Sequence, residues 1–154
     1  GSIISLNKDG YKLGNWSTKF ETGTINIAAI IGLSNSLQFL SDIGFELIKN
    51  HDRKLRKQIS KGLETIQNIE IMKLEGIEYG PILSFRSETV DSHDIAIILE
   101  DLQKIFVRSG ALCSHLFMDE INQNSLIQLS THIYNSEQEI ETLIETMHNI
   151  MEEI

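Results

Sequence analysis

Residues 136–154, SEQEIETLIETMHNIMEEI, constrain the fold more than any other stretch. Ile140, Leu143, Ile144, Met147, Ile150, Met151 and Ile154 recur at three- and four-residue spacing, which gathers them on one face of an α-helix. Ser136 and Glu139 form a capping box, each side chain satisfying the other's backbone N–H at the helix start. A helix with a single apolar stripe must bury it against a second layer, so a layered architecture is required.

The remaining sequence supplies that layer. Ile27, Ile30, Ile31, Leu37 and Leu40 predict a helix from Ile25 onward, and Gly44 allows a break. A second helix follows, with Leu47, Ile48, Leu55, Ile59, Leu63 and Ile66 on its apolar stripe. Its other positions carry Lys49, Arg53, Lys54, Arg56, Lys57 and Lys61, read as solvated surface. IEIMKL (Ile69–Leu74) alternates as a strand does, and Pro81 opens the strand ILSFR, where its missing N–H costs no ladder bond. Asp91 or Ser92 caps a helix bearing Ile95, Ile98, Leu99 and Leu102. IFVRSG reads as a short strand running into a loop, and LIQLSTHIY (Leu126–Tyr134) as another strand. This order predicts an α+β fold: a mostly antiparallel sheet with helices packed on one face. Residues 1–24 read as a short apolar strand, a turn at Asp9-Gly10 and an irregular stretch that needs support from elsewhere.

Charge and cysteine usage narrow the function classes. A net charge of −9 opposes binding to nucleic acid or an anionic membrane. The longest apolar run, INIAAIIGL at Ile25–Leu33, falls well short of the roughly 20 residues of a membrane span. The opening residues lack the basic start and apolar core of a secretory signal. A lone cysteine forms no internal disulfide, which points to a reducing, cytoplasmic setting. With no cysteine pair and scattered histidines, no metal site is expected.

That lone cysteine lies in VRSGALCSHLFM, residues 107–118. Two readings are open. Cys113 is a small apolar core residue, the commoner role for an unpaired cysteine. Or it is a nucleophile, projecting from a turn of small residues (Gly110, Ala111, Ser114) with Arg108 and His115 near enough in sequence to favour the reactive thiolate. Similarly, Gly23-Thr24 is either a helix N-terminus capped by the threonine or a phosphate contact made by a backbone amide and a hydroxyl.

Three segments, in order, resemble one family. KFETGTINIAAIIGL (Lys19–Leu33) is similar to the lysine-phenylalanine-glutamate-x-glycine-threonine segment of class V aminotransferases. DSHDIAIILEDLQKIFVRSGALCSHLFM is similar to the stretch holding the catalytic cysteine of group II cysteine desulfurases, and IQLSTHIYNSEQEIETLI resembles the family's closing strand, tyrosine-asparagine pair and acidic last helix. The resemblance implies the small C-terminal domain of the aspartate-aminotransferase fold, that of fold type I pyridoxal 5'-phosphate (PLP) enzymes. Residues 1–24 would then be a remnant of the large cofactor domain with a phosphate-facing loop, and 25–154 the small domain with its linking helices.

For the site, the resemblance implies that Cys113 accepts sulfur from a cysteine-like substrate, yielding alanine and a persulfide. Gly23 and Thr24 would face the cofactor phosphate of a neighbouring subunit, and Arg108, His115 and Gln128 would meet the substrate. The expected partners are a second copy in a homodimer, or a separate chain bearing the PLP lysine. Three departures accompany the match. No lysine here follows a histidine, as the family's cofactor lysine does, so the chain alone is expected to be inactive. Gln128 stands where the family has its carboxylate-binding arginine, exchanging a charged fork for a neutral amide, with Arg108 and Arg86 as candidate compensators. Leu112 replaces the histidine that often precedes the cysteine, and Ile25 replaces a proline. The sequence therefore also admits a class V enzyme for a different amino acid, or a degenerate domain kept as a dimerisation module.

Overall fold

The computed structural model describes residues 2–21, 23–74 and 76–153. The chain forms two compact units, Gly1–Gly44 and Phe45–Ile154. In the first, β1 (Ile3–Asn7) and β2 (Gly10–Leu13) make an antiparallel hairpin. Asn7 Oδ1 accepts from the Asp9 N–H at 3.0 Å to shape the turn, and Gly10 adopts φ +147° there. Helix α1 (Trp16–Phe20) is capped by Asn15, and α2 (Ile27–Ile43) by Asn26. The return strand GYKL and α1 lie where the sequence reads as irregular, because both are too short to show a period. Among the described residues none is buried in this unit, and Trp16 stands 80% exposed.

The second unit runs α3 (Phe45–Leu63), β3 (Ile69–Ile71), β4 (Ile82–Ser87), α4 (Ser92–Gln103), β5 (Arg108–Gly110), α5 (His115–Glu120), β6 (Leu126–Ser130) and α6 (Glu137–Glu153). Its sheet has the order β3-β4-β6-β5, antiparallel throughout. Strand alternation sends Leu83, Phe85, Ile127 and Leu129 to one face. There they pack with Leu55, Ile59 and Leu63 of α3, Ile95 and Leu99 of α4, and Ile140, Leu143 and Met147 of α6. The second unit adopts the expected α+β layering, with α3, α4 and α6 packed on one face of the sheet, while the short α5 lies on the other face.

Local differences have identifiable causes. The strand expected over 126–134 stops at Ser130, because Asn135 Oδ1 accepts the His132 N–H and closes a turn. The strand expected from Ile69 to Leu74 ends at Ile71, and Pro81 stands just before β4 rather than inside it. Left-handed Lys104 (φ +56°) terminates α4, its N–H bonded to the Glu100 and Leu99 carbonyls, so β5 begins only at Arg108. Helix α5 occupies part of what reads as loop after Cys113. The capping box forms as expected: the Ser136 N–H donates to Glu139 Oε2 at 2.7 Å and the Glu139 N–H to Ser136 Oγ at 3.3 Å. The Ser136 amide holds the Glu139 carboxyl below its usual range.

Helices α3 and α6 meet at Gly62, where an added Cβ would lie 2.5–2.9 Å from Ile144 Cγ1, Cδ1 and Cγ2. Three branched-chain atoms cannot all withdraw together. Gly62→Ala is therefore expected to destabilise by about 1–2 kcal/mol in denaturant melts, despite the better helix propensity of alanine.

Candidate active site

The sheet face opposite the core is partly open, and strand register decides what it presents. Gln128 on β6 lies directly across from Ser84 on β4 and from Arg108 on β5, so the three side chains form one row across the sheet. Below the row, α5 seals the face by packing Met118, 2% exposed, near Leu126. What remains is a cleft of about 330 Å³ whose lining includes Arg56, Tyr79, Ser84, Arg108, Leu112 and Gln128.

Cys113 stands at its rim, between the lining residues Leu112 and Ser114. After β5 the backbone passes through Gly110 at φ +104°, then through left-handed Leu112 (φ +54°) and Cys113 (φ +58°). The Ser114 N–H donates to the Ala111 carbonyl at 2.9 Å to close the turn. Two successive left-handed residues with side chains cost roughly 1–2 kcal/mol each, and such strain gathers where a side chain is held for use. The turn carries the thiol back to the strand it left: Arg108 Nη2 donates to Cys113 Sγ at 2.9 Å. The cysteine is exposed, so the core-residue reading does not describe it. Leu112 turns into the cleft and does not bury the sulfur.

The other expected residues are placed as follows. His115 opens α5, is exposed, and does not line the cleft. Arg86 is taken by Glu70 across the β3–β4 pair, with Nε 2.7 Å from Oε2, and it too is absent from the cleft lining. It is unavailable to compensate for Gln128. Tyr134 is 79% exposed, while its neighbour Asn135 serves the turn before α6.

In the first unit, Gly23 and Thr24 are exposed and lie just ahead of α2. The cap there is Asn26, whose Oδ1 accepts from the Ala29 N–H at 3.0 Å. Thr24 is therefore not the helix cap, and a Cβ added at Gly23 would project into open space. A backbone amide and a hydroxyl at this exposed approach fit the phosphate end of PLP.

Sequence reasoning passed over Arg56, assigned to a solvated basic face. Its guanidinium lies 4.2 Å from the Tyr79 ring centroid, and its Nε donates to the Ile82 carbonyl at 3.3 Å. The sequence offers only a weak sign: Arg56 and Lys54 both flank the buried Leu55, and only the structure separates them, since Lys54 pairs with Glu137.

The model of the family Aminotransferase class-V matches residues 1–143. Probable cysteine desulfurases of Methanothermobacter thermautotrophicus and Borreliella burgdorferi are 36% and 31% identical, covering 97% and 99% of this chain but 38% and 36% of their own lengths. The apo structure of a cysteine desulfurase from Thermococcus onnurineus superposes with a TM-score of 0.91 at 32% identity, over 100% of this chain and 38% of that one. A cysteine desulfurase from Escherichia coli shares the fold, with a TM-score of 0.88 at 21% identity over 99% and 37%. The chain thus spans less than two fifths of the length of these relatives.

Proposed function

The chain belongs to the class V aminotransferase family, and from that premise we propose that it is the sulfur-accepting part of a PLP-dependent enzyme that converts cysteine to alanine. The observation that carries this reading is the 2.9 Å contact between the Arg108 guanidinium and an exposed Cys113 sulfur on a strained turn. A guanidinium is a permanent cation, and its contact holds the sulfur at the cleft rim. The thiolate is the attacking form in sulfur transfer. It attacks the sulfur of the substrate cysteine, an S–S bond forms, and the substrate's carbon–sulfur bond breaks with its electron pair left on carbon. Protonation of that carbon gives alanine, and Cys113 is left as a persulfide. Bound PLP supplies an electron sink that makes this cleavage accessible.

Gly23 and Thr24 contribute contacts to the PLP phosphate of a neighbouring subunit. Separately, Gln128 and Arg108 line the approach of the substrate in the cleft. Within these 154 residues no lysine follows a histidine, so the cofactor's lysine comes from polypeptide outside them. Cytoplasmic location and assembly as a dimer belong to the same proposal.

The test uses the complete PLP-bearing enzyme containing this chain. Incubated with cysteine and quenched before any reductant, the peptide holding Cys113 should be heavier by one sulfur atom, in step with alanine release. Alanine release with an unmodified Cys113 peptide throughout the time course would overturn the assignment.

A further inference from the structure

We propose that Arg56, rather than a group at position 128, grips the carboxylate of the substrate in the cleft. This inference rests on the amino-acid-processing role assigned above. In a protein of net charge −9, the cleft is lined by Arg56, Lys73 and Arg108, and by no aspartate or glutamate among the described residues. Three cations in one cleft of an acidic protein suit an anionic ligand.

The three cations are not equivalent. Lys73 is paired with Glu64, whose carboxyl is lowered chiefly by that contact. Arg108 turns one amino group, Nη2, to the Cys113 sulfur. Arg56 combines a fixed plane with unspent donors. Stacking on Tyr79 and the Nε bond to the Ile82 carbonyl hold it, and Tyr79 is itself anchored because its hydroxyl donates to the Leu74 carbonyl at 3.0 Å. Both terminal amino groups of Arg56 are free of carboxylate partners among the described residues, leaving a planar fork for bidentate capture. Ile82 lies two residues along β4 from Ser84, so this anchor is about 7 Å from the Ser84–Gln128–Arg108 row. Gln128, neutral and at the centre of that row, hydrogen-bonds a ligand without neutralising it.

The experiment is calorimetric titration of the complete PLP-bearing enzyme with L-alanine, and with ethylamine, which lacks only the carboxylate. The unsubstituted enzyme should prefer L-alanine. Arg56→Gln, which retains a donor for the Ile82 carbonyl, should lose about 10- to 100-fold of alanine affinity and leave ethylamine unchanged. Adding Gln128→Arg to Arg56→Gln should restore the preference, which repair of folding would not do. Retained discrimination in Arg56→Gln, or no discrimination in the unsubstituted enzyme, overturns the inference. The sulfur-acceptor reading is judged separately, by the modified peptide, so either can fail alone.

Discussion

Alanine in place of Cys113 is expected to lower cysteine turnover by the complete PLP-bearing enzyme by roughly 10³-fold or more, with affinity for the product alanine unchanged. The argument is geometric. The exposed sulfur is the only nucleophile placed at the cleft rim with a cation in contact, Arg108 Nη2 at 2.9 Å, among the described residues. Ser114 lines the cleft, but its oxygen cannot become a persulfide. Alanine keeps the left-handed backbone at φ +58° and removes only the sulfur, so it separates chemistry from loop shape. Turnover is read as alanine released, and binding by calorimetry. Turnover within about tenfold of the unsubstituted enzyme would mean that sulfur leaves by a route avoiding Cys113. Arg108 is a positioning residue in this scheme. Arg108→Ala removes the contact that holds the thiol and should change the rate at which iodoacetamide alkylates Cys113.

The layered fold was legible because its determinants are periodic and local. The stripe and the Ser136/Glu139 box are local to the last helix and its cap, and they form as read from Ile140 to Met151; Ile154 lies outside the described residues. ILSFR forms the strand expected of it, and Leu83 and Phe85 are buried on one face. Strand ends were less legible, because Asn135 and Lys104 stop elements by turn geometry and not by apolar pattern. The site was legible only in part. Cys113 and Arg108 are five residues apart, and the turn that brings them together contains glycine. Arg56 and Tyr79 are separated by more than twenty residues of chain, and their stacking depends on α3 running past the end of β4. No spacing rule on one sequence marks a contact of that kind. A basic side chain next to a buried leucine is the nearest sign, and Lys54 on the other side of Leu55 carries it equally.

Phe85→Ala tests whether the two faces of the sheet are as distinct as the site requires. Phe85 is fully buried on β4, within the core that α3, α4 and α6 build over the sheet. Truncating such a ring typically costs about 3–5 kcal/mol, the spread depending on how far the cavity collapses. Against a usual domain stability of roughly 5–15 kcal/mol, that corresponds to a fall in melting temperature on the order of 10–20 °C. Ile82, on the same strand but 51% exposed and facing the cleft, should cost less than about 1 kcal/mol when replaced by alanine. The contrast matters because β4 carries both functions: Phe85 pins the strand from beneath, and Ser84 one position earlier stands in register with Gln128 above. A strand loosened by the Phe85 cavity also releases the row that Arg108 completes. Denaturant melts should therefore rank Phe85→Ala far below Ile82→Ala in stability, and at temperatures where the Phe85 variant is still folded its Cys113 should alkylate at an altered rate. Equal stabilities for the two variants would mean that the helices do not clamp this strand, and the placement of the cleft residues would lose its support.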